Sequence, residues 1–208
     1  MIESRASDYR APDDGPPRVR LAAASDRAVL ATMFARAFAD DPALCWLFPN
    51  PEHRPRQLAR LFAVLFDSDA NGVRLMLNQG EAATLWRGPG HAETTLGEML
   101  RFAPGLLAAF GLAVGRALTL SGAVAAHFPP YPFWYLHLAG CDPVQQGRGF
   151  GRAVVQAGID RMGGSGLPFY LETATMRNIG FYQSLGFRVT DEWRVGRDGP
   201  VFWSMVNG

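Results

Sequence analysis

Apolar residues recur at helical intervals in the first third of the chain. Over 25–39 and 55–67 they fall three and four positions apart, which predicts two amphipathic helices. Ser25 or Asp26 is placed to cap the first helix, because a side-chain oxygen there can accept from the free N–H groups of the first turn. Asp40-Asp41-Pro42 should end this helix, since a residue before proline avoids the helical region.

Shorter apolar runs in the first half predict strands. Residues 19–22, 73–77 and 82–87 are each too short for a helix and are bounded by polar or turn-forming residues. The turn Asn78-Gln79-Gly80 joins the last two runs, which indicates a β-hairpin.

The second half of the chain alternates between strands and helices. The run 133–141 is continuously apolar, as expected of a central strand, and Gly140 within it indicates a β-bulge or a close backbone approach. A helix, a strand, a short helix and an antiparallel strand pair follow, at 150–162, 169–173, 178–185, 188–195 and 201–206.

A long apolar segment lies between the two halves. Residues 102–128 approach the composition of a membrane span, but Arg116 interrupts them and Pro104 breaks their start. We therefore expect a pair of helices, broken near Pro104 and at Gly115 or Gly122, and no membrane partner. The apolar surface of this pair fits either a pocket lining or the seam of a homodimer.

Composition narrows the class of protein. The chain has 208 residues, of which 48% are hydrophobic and 19% charged, which suits one domain at 18–208 after a disordered polar tail at 1–17. A formal net charge of +1 provides no basic field, so nucleic acid is not an expected partner. Cys45 and Cys141 form no CxxC pair, and the tail lacks an apolar signal-peptide core, so we expect a cytoplasmic location.

The strongest chemical signal is a glycine loop between strand 133–141 and the helix at 150–162. Glycines at positions 147, 149 and 151 leave space in which backbone N–H groups can face a ligand. A helix N-terminus follows at once, and its dipole and free N–H groups favour a phosphate. Taken alone, the loop also fits a tight strand-to-helix turn that binds nothing.

Two common nucleotide-binding patterns fail at this loop. The dinucleotide pattern GxGxxG is not met, because position 152 counted from Gly147 is Arg, and the GK pair of the P-loop occurs nowhere. A different nucleotide-binding α/β enzyme is therefore disfavoured. The histidines show no HxxxH or HExxH spacing, so no metal site is expected.

Two motifs together resemble the GNAT superfamily of N-acetyltransferases. Residues 146–151, QGRGFG, fit that family's [Q/R]xxGx[G/A] pattern, and residues 178–187, NIGFYQSLGF, resemble its Asn…Tyr…Leu-Gly-Phe ending. The sequences LET at 171–173 and RN at 177–178 are similar to those of antibiotic acetyltransferases of the puromycin N-acetyltransferase type. The resemblance covers residues 19–206.

The resemblance implies a fold and a cofactor. The implied architecture is the α/β (α+β) GNAT fold, a mixed and mostly antiparallel sheet with helices on both faces. Its central parallel strands, here 133–141 and 169–173, splay apart to hold the pantetheine arm of acetyl-CoA, with Gly140 at the bulge. The residues implied to hold this coenzyme A cofactor are Ala139, Cys141, Gln146, Gly147, Arg148, Gly149, Phe150, Gly151, Arg152, Asn178 and Tyr182.

The resemblance also implies the catalytic groups. Tyr182 is the implied acid, because a phenol with a pKa near ~10 can protonate a thiolate as it departs. Asn178 lies four residues earlier, so the two side chains share one helix face. Many relatives carry a Glu on the fourth strand, which is missing here. His137 and Glu172 are the candidates for the base, and attack without a protein base is the third alternative.

The expected activity is acetyl transfer from acetyl-CoA to a primary amine of a small molecule, by direct attack in a ternary complex. Phe38, Asp40 and Asp41 lie in the implied acceptor lobe and suit a hydrophobic or antibiotic-like amine. The missing fourth-strand carboxylate motivates a second hypothesis, a non-catalytic acyl-CoA-binding sensor or regulatory module.

Overall fold

A single mixed sheet forms the centre of the protein. The computed structural model describes residues 18–93 and 95–208, and the tail expected at 1–17 lies outside them. Seven strands of the described residues form the sheet in the order β1-β2-β3-β4-β5-β7-β6. They are β1 (Val19–Leu21), β2 (Val73–Leu77), β3 (Ala82–Arg87), β4 (Trp134–Cys141), β5 (Phe169–Thr173), β6 (Arg188–Arg194) and β7 (Val201–Asn207).

Helices cover both faces of this sheet. Within the described residues they are α1 (Arg27–Ala37), α2 (Pro42–Leu47), α3 (Arg54–Ser68), α4 (Leu96–Phe110), α5 (Val114–Ala126), α6 (Phe150–Met162) and α7 (Arg177–Gln183). Phe34 of α1 and Phe62 of α3 pack with Leu85 on one face. Val155 of α6 packs with Trp86 on the other. Successive residues of β3 therefore point to opposite layers, as strand geometry requires.

The parallel pairing of β4 with β5 is short. Trp134 pairs with Phe169 and Tyr135 with Tyr170, and no further pair joins these strands. All other neighbouring strands are antiparallel. The mostly antiparallel sheet with one splayed parallel pair is thus confirmed, and the splay leaves a gap in the middle of the sheet.

A β-bulge on β4 lies at His137. Leu85 pairs with Leu138 and Trp86 with Leu136, so His137 is the extra residue between two regular pairs. Leu136 packs on the α6 side and Leu138 on the α1 side. The extra residue therefore turns the His137 side chain to the α1/α3 face, where it meets buried polar groups.

The prediction of a β-bulge at Gly140 is wrong. The alternative prediction, that another part of the structure packs closely against the backbone there, is confirmed. Gly140 pairs regularly with Ala83. A Cβ at position 140 would lie 2.7 Å from the ring of Phe34, so only glycine lets α1 pack this closely on β4.

The apolar helical pair breaks at a different place from the one predicted. α4 continues through Pro104, and α5 runs unbroken through Gly115 and Gly122. The break falls at the short 3-10 turn 111–113, where Gly111 has a φ of +50° that ends the helix. No helix in the described part of the chain is long and apolar enough to cross a membrane.

The predicted cap of α1 is also wrong. Neither Ser25 nor Asp26 caps the helix, because the Asp26 carboxylate instead binds the Arg20 guanidinium at 2.7 Å. The capping carboxylate of this region is Asp41, which accepts from the Ala43 N–H at 2.9 Å. Asp41 thereby begins α2, a helix that the apolar pattern did not predict.

The contact between α6 and β3 permits a stability test. A Cβ at Gly158 would lie 2.5 Å from the indole of Trp86, which is completely buried. We expect Gly158→Ala to lower the free energy of unfolding by about 1–3 kcal/mol, because a tightly packed core resists the added methyl group. Urea denaturation followed by tryptophan fluorescence measures this change.

Gly115→Ala is the matched control. Gly115 is exposed within α5, and a Cβ there would meet nothing within 4 Å. The free energy of unfolding of this variant should rise by about 0.5–1 kcal/mol, since alanine is the better helix former. Equal effects of the two substitutions would contradict the packing described for α6.

Candidate active site

A cavity of about 610 Å³ fills the gap where β4 and β5 diverge. Four parts of the fold meet at its wall: the end of α1 with the following loop, the end of β4, the glycine loop with α6, and the start of α7. Its lining includes Ala37, Phe38, Asp40, Asp41, Ala139, Gly140, Cys141, Gln146, Gly147, Gly149, Phe150, Gly151, Arg152, Thr175, Asn178 and Tyr182. The sequence-predicted cofactor residues therefore lie around one cavity, with Arg148 as the exception.

The glycine loop has the conformation of an anion cradle. Gly147 and Gly149 have φ values of +81° and +79°, which side chains rarely tolerate. A Cβ at either position would meet nothing within 4 Å, so the space beside the loop is open. Within the described residues the N–H groups of 147–149 donate no hydrogen bond. They stand just before α6, whose first turn adds further free N–H groups.

The cationic residues near the loop are held in different ways. Arg152 lines the cavity and donates to the Ser184 hydroxyl at 2.8 Å, which ties α6 to the end of α7. Arg148 lies outside the lining, because its guanidinium covers the ring of Phe150 and donates to Gln145 at 2.5 Å. The structure thus puts Arg152 at the cavity and turns Arg148 away from it.

One edge of β4 faces the cavity without a strand partner. Ala139 and Cys141 pair with β3 on their other side and line the cavity on this one. Burial raises the pKa of the Cys141 thiol, so the thiol stays protonated at neutral pH. The open edge offers backbone N–H and C=O groups to an extended ligand.

Asn178 and Tyr182 lie on the same face of α7 and both line the cavity, as their spacing predicts. The Asn178 amide donates to the Thr173 hydroxyl at 3.4 Å. Tyr182 is 8% exposed, and its hydroxyl forms no hydrogen bond with another described residue. Burial, with smaller effects from the charges of Glu172 and Asp41, raises the pKa of Tyr182, so the phenol is protonated at neutral pH.

Glu172 lies outside the cavity lining, on the α1/α3 face of β5. Its neighbour Leu171 packs with Tyr182 on the opposite face. The Tyr135 hydroxyl donates to Glu172 Oε1, whereas Oε2 is buried and has no partner among the described residues. Burial raises the pKa of Glu172 to about 7, although the hydrogen bond from Tyr135 and the charge of Arg87 oppose the shift.

His137 is likewise outside the cavity lining. Its Nδ1 lies 2.6 Å from Oδ2 of Asp69, and Oδ1 of the same carboxylate accepts from Arg87 Nε at 2.7 Å. Burial, together with the positive charge of Arg87, lowers the pKa of His137, which is therefore neutral at neutral pH. Of the three candidate catalytic residues, the structure places only Tyr182 at the cavity and the other two across the sheet.

Sequence reasoning named Asp41 in the implied acceptor lobe without its contacts, and it missed other charged groups of this site. Asp41 lines the cavity and accepts from the Thr175 hydroxyl at 3.2 Å, and burial raises its pKa. Arg36 forms an ion pair with Asp142, which joins α1 to the start of the glycine loop. The Asp-Pro sequence before α2 was the pattern from which the position of Asp41 at a helix start could have been predicted. No local pattern pointed to Asp69, because it lies in a short turn far along the chain from His137.

Comparisons with known proteins agree with this geometry. Residues 90–187 match the Acetyltransferase (GNAT) family. A structure of histone acetyltransferase HPA2 and related acetyltransferase from Corynebacterium glutamicum has a TM-score of 0.71 and 25% identity, with 92% of this chain and 95% of that chain covered. A polyamine N-acetyltransferase of Drosophila melanogaster has a TM-score of 0.57 and 16% identity over 92% of this chain and 99% of its own.

A curated relative matches over a shorter stretch. It is mycothiol acetyltransferase of Nocardioides sp. (strain ATCC BAA-499 / JS614), 35% identical over 60 residues, which are 27% of this chain and 20% of that protein. The chain thus spans about a fifth of the length of this relative. The splayed sheet, the glycine loop and the match over residues 90–187 are those of the GNAT acetyltransferase fold. The chain is similar to GNAT acetyltransferases in sequence over residues 90–187 and in structure over 92% of its length.

The raised pKa of Glu172 predicts how stability depends on pH. The folded protein holds this proton more tightly than the unfolded chain, because the pKa rises from 4.5 to about 7. The resulting stability is complete below pH 4.5 and is lost as the pH rises through about 7. Glu172→Gln keeps an acceptor for Tyr135 but does not titrate. Relative to this variant, the free energy of unfolding of the wild type should fall by up to about 3 kcal/mol between about pH 4 and pH 8.

Urea unfolding of both proteins across this pH range measures the difference. Glu52→Gln is the control, because Glu52 is exposed and lies away from the site. Its stability should follow that of the wild type at every pH. A constant difference between the wild type and Glu172→Gln would show that burial does not raise the pKa of Glu172.

Proposed function

We propose that the protein is an acetyl-CoA-dependent N-acetyltransferase that acts on a primary amine of a small molecule by direct attack in a ternary complex. The observation that carries the proposal is the gap between β4 and β5. An unpaired strand edge, an open anion cradle and a protonated phenol converge there on one face. An unpaired buried carboxylate oxygen, Oε2 of Glu172, lies on the other face of β5.

The residues around the cavity fit coenzyme A. The free N–H groups of 147–149 and the first turn of α6 suit the pyrophosphate, with Arg152 beside them. The open edge of β4 at Ala139 and Cys141, with Asn178 opposite, suits the amides of the pantetheine arm. When bound, acetyl-CoA supplies the activated acetyl thioester.

Tyr182 is the acid that we propose to protonate the leaving sulfur. Its hydroxyl donates to no described residue, and its raised pKa keeps the proton on the oxygen at neutral pH. A phenol of this kind is a weak acid, so it gives up its proton only as charge develops on the departing thiolate. Asn178 lies one helical turn before Tyr182 on the same face of α7. Its side chain therefore faces the proposed position of the pantetheine arm.

Glu172 is the group that we propose to receive the proton of the amine. Its Oε2 has no partner, and a pKa of about 7 leaves a large fraction of the carboxylate ionised at neutral pH. The non-catalytic alternative rested on the missing carboxylate of the fourth strand. Glu172 supplies such a group from the neighbouring strand, which favours the enzyme.

The substrate class is inferred from charge near the cavity mouth. Asp40 and Asp41 line the wall next to Phe38, so a cationic group on an apolar body fits there. The Drosophila relative, named for polyamine acetylation, supports an amine of this kind. An antibiotic-like acceptor, a homodimer and a cytoplasmic location remain predictions.

Turnover of an amine panel tests the proposal. Release of coenzyme A thiol from acetyl-CoA should accelerate with at least one hydrophobic primary amine and follow its concentration. Mass spectrometry should find the acetylated amine in equal amount. Tight binding of acetyl-CoA without turnover of any amine would instead favour the non-catalytic module.

Tyr182→Phe should slow this reaction by about 100-fold or more, because the leaving thiolate loses its acid. The affinity for acetyl-CoA should stay the same, since the ring still fills its place between Phe181 and Phe187. Tyr131→Phe is the control, because Tyr131 is 46% exposed and lies outside the cavity lining. A Tyr182→Phe rate within twofold of the wild type would remove Tyr182 from the mechanism.

A further inference from the structure

Five ionisable side chains form a buried cluster on the α1/α3 face of the central strands. Asp69 lies at its centre, is 1% exposed, and uses both carboxylate oxygens. Oδ1 accepts from Arg87, and Oδ2 lies 2.6 Å from His137 Nδ1. The Tyr135 ring is 5.4 Å from the His137 ring between centroids, and the Tyr135 hydroxyl donates to Glu172.

The contact with Asp69 decides which nitrogen of His137 carries the proton. The Asp69 carboxylate is ionised, because its contacts with His137 and Arg87 lower its pKa. An ionised carboxylate can only accept, so Nδ1 of His137 must be the donor. In a neutral imidazole the other nitrogen, Nε2, then holds the lone pair.

Two hydrogen-bond acceptors on this face have no donor. Glu172 Oε2 is the only buried side-chain nitrogen or oxygen of the described residues without a partner. His137 Nε2 also receives no hydrogen bond from a described residue, and 16% of the side chain is exposed. Tyr135 contacts both residues, because its ring lies beside that of His137 and its hydroxyl donates to the other oxygen of Glu172.

We propose that Asp69, anchored by Arg87, is a positioning residue that makes His137 Nε2 accept a hydrogen bond from the substrate amine beside Glu172. This inference rests on the proposed acetyl transfer and specifies its substrate class. A neutral primary amine has two N–H donors and satisfies both acceptors, whereas a secondary amine or an alcohol has one. The cluster therefore selects primary amines.

The tautomer of His137 is tested without any turnover. Side-chain ¹⁵N NMR of the full chain should show the proton on Nδ1 in the wild type. In Asp69→Asn the new amide can donate to Nδ1 and should move the proton to Nε2. A wild-type proton on Nε2 overturns the proposal, even if Asp69→Asn fails to fold.

His137→Asn tests the role of Nε2 in amine recognition. The shorter amide can still donate to Asp69, so the ion pair with Arg87 keeps its surroundings, but the Nε2 acceptor is removed. The KM for a primary amine should rise about 10- to 100-fold, as expected for losing one hydrogen bond to a polar substrate group. The preference for a primary over an N-methylated amine should fall by a similar factor, with the Kd of acetyl-CoA unchanged.

Asp67→Asn is the control. Asp67 is partly exposed, pairs with Arg27 and lies outside the buried cluster. It should leave the tautomer, the amine KM and the primary-amine preference as in the wild type.

Two results separate this inference from the proposed function. An unchanged amine KM and preference in His137→Asn, with an active wild type, overturn the role of His137 and leave acetyl transfer intact. A wild type that acetylates no amine overturns the proposed function and the amine role together.

Discussion

The divergence of β4 from β5 after only two residue pairs is the constraint on which the rest of the structure depends. Two residue pairs join the strands, and beyond Tyr135 and Tyr170 their facing edges are free. A sheet with an open seam exposes backbone N–H and C=O groups that need partners. The glycine loop and α7 enclose a cavity at this gap instead of closing it, so the gap remains open to an extended polar ligand.

On the face of the sheet opposite the cavity, the balance of charges determines which carboxylate titrates near neutral pH. One guanidinium, Arg87, faces two carboxylates, and its nearest partner is Asp69 at 2.7 Å. Glu172 is left with a neutral hydroxyl as its partner, and burial therefore raises its pKa to about 7. A carboxyl that gains and loses a proton near neutral pH suits proton transfer far better than a permanently ionised one. The fold thus separates a structural carboxylate from a titrating one.

Local signals in the sequence predicted the parts of the site that depend on local geometry. The glycines at 147 and 149 predicted a loop with open space beside its backbone N–H groups, and the four-residue spacing of Asn178 and Tyr182 predicted a shared helix face. The β-bulge was misplaced, because a glycine in a strand fits a close approach as well as a bulge. The buried cluster depends on Asp69, 68 residues from His137, and no pattern along the chain records such a contact.

Calorimetric titration with acetyl-CoA, with NADH as the comparison ligand, tests the central claim that the open seam is a coenzyme A site. The account predicts micromolar binding of acetyl-CoA and no binding of NADH. It also predicts that Gly149→Val weakens binding strongly, since a branched residue is strained at a φ of +79° and its side chain would enter the cradle. An absence of binding to acetyl-CoA, or equal binding of NADH, would contradict the account.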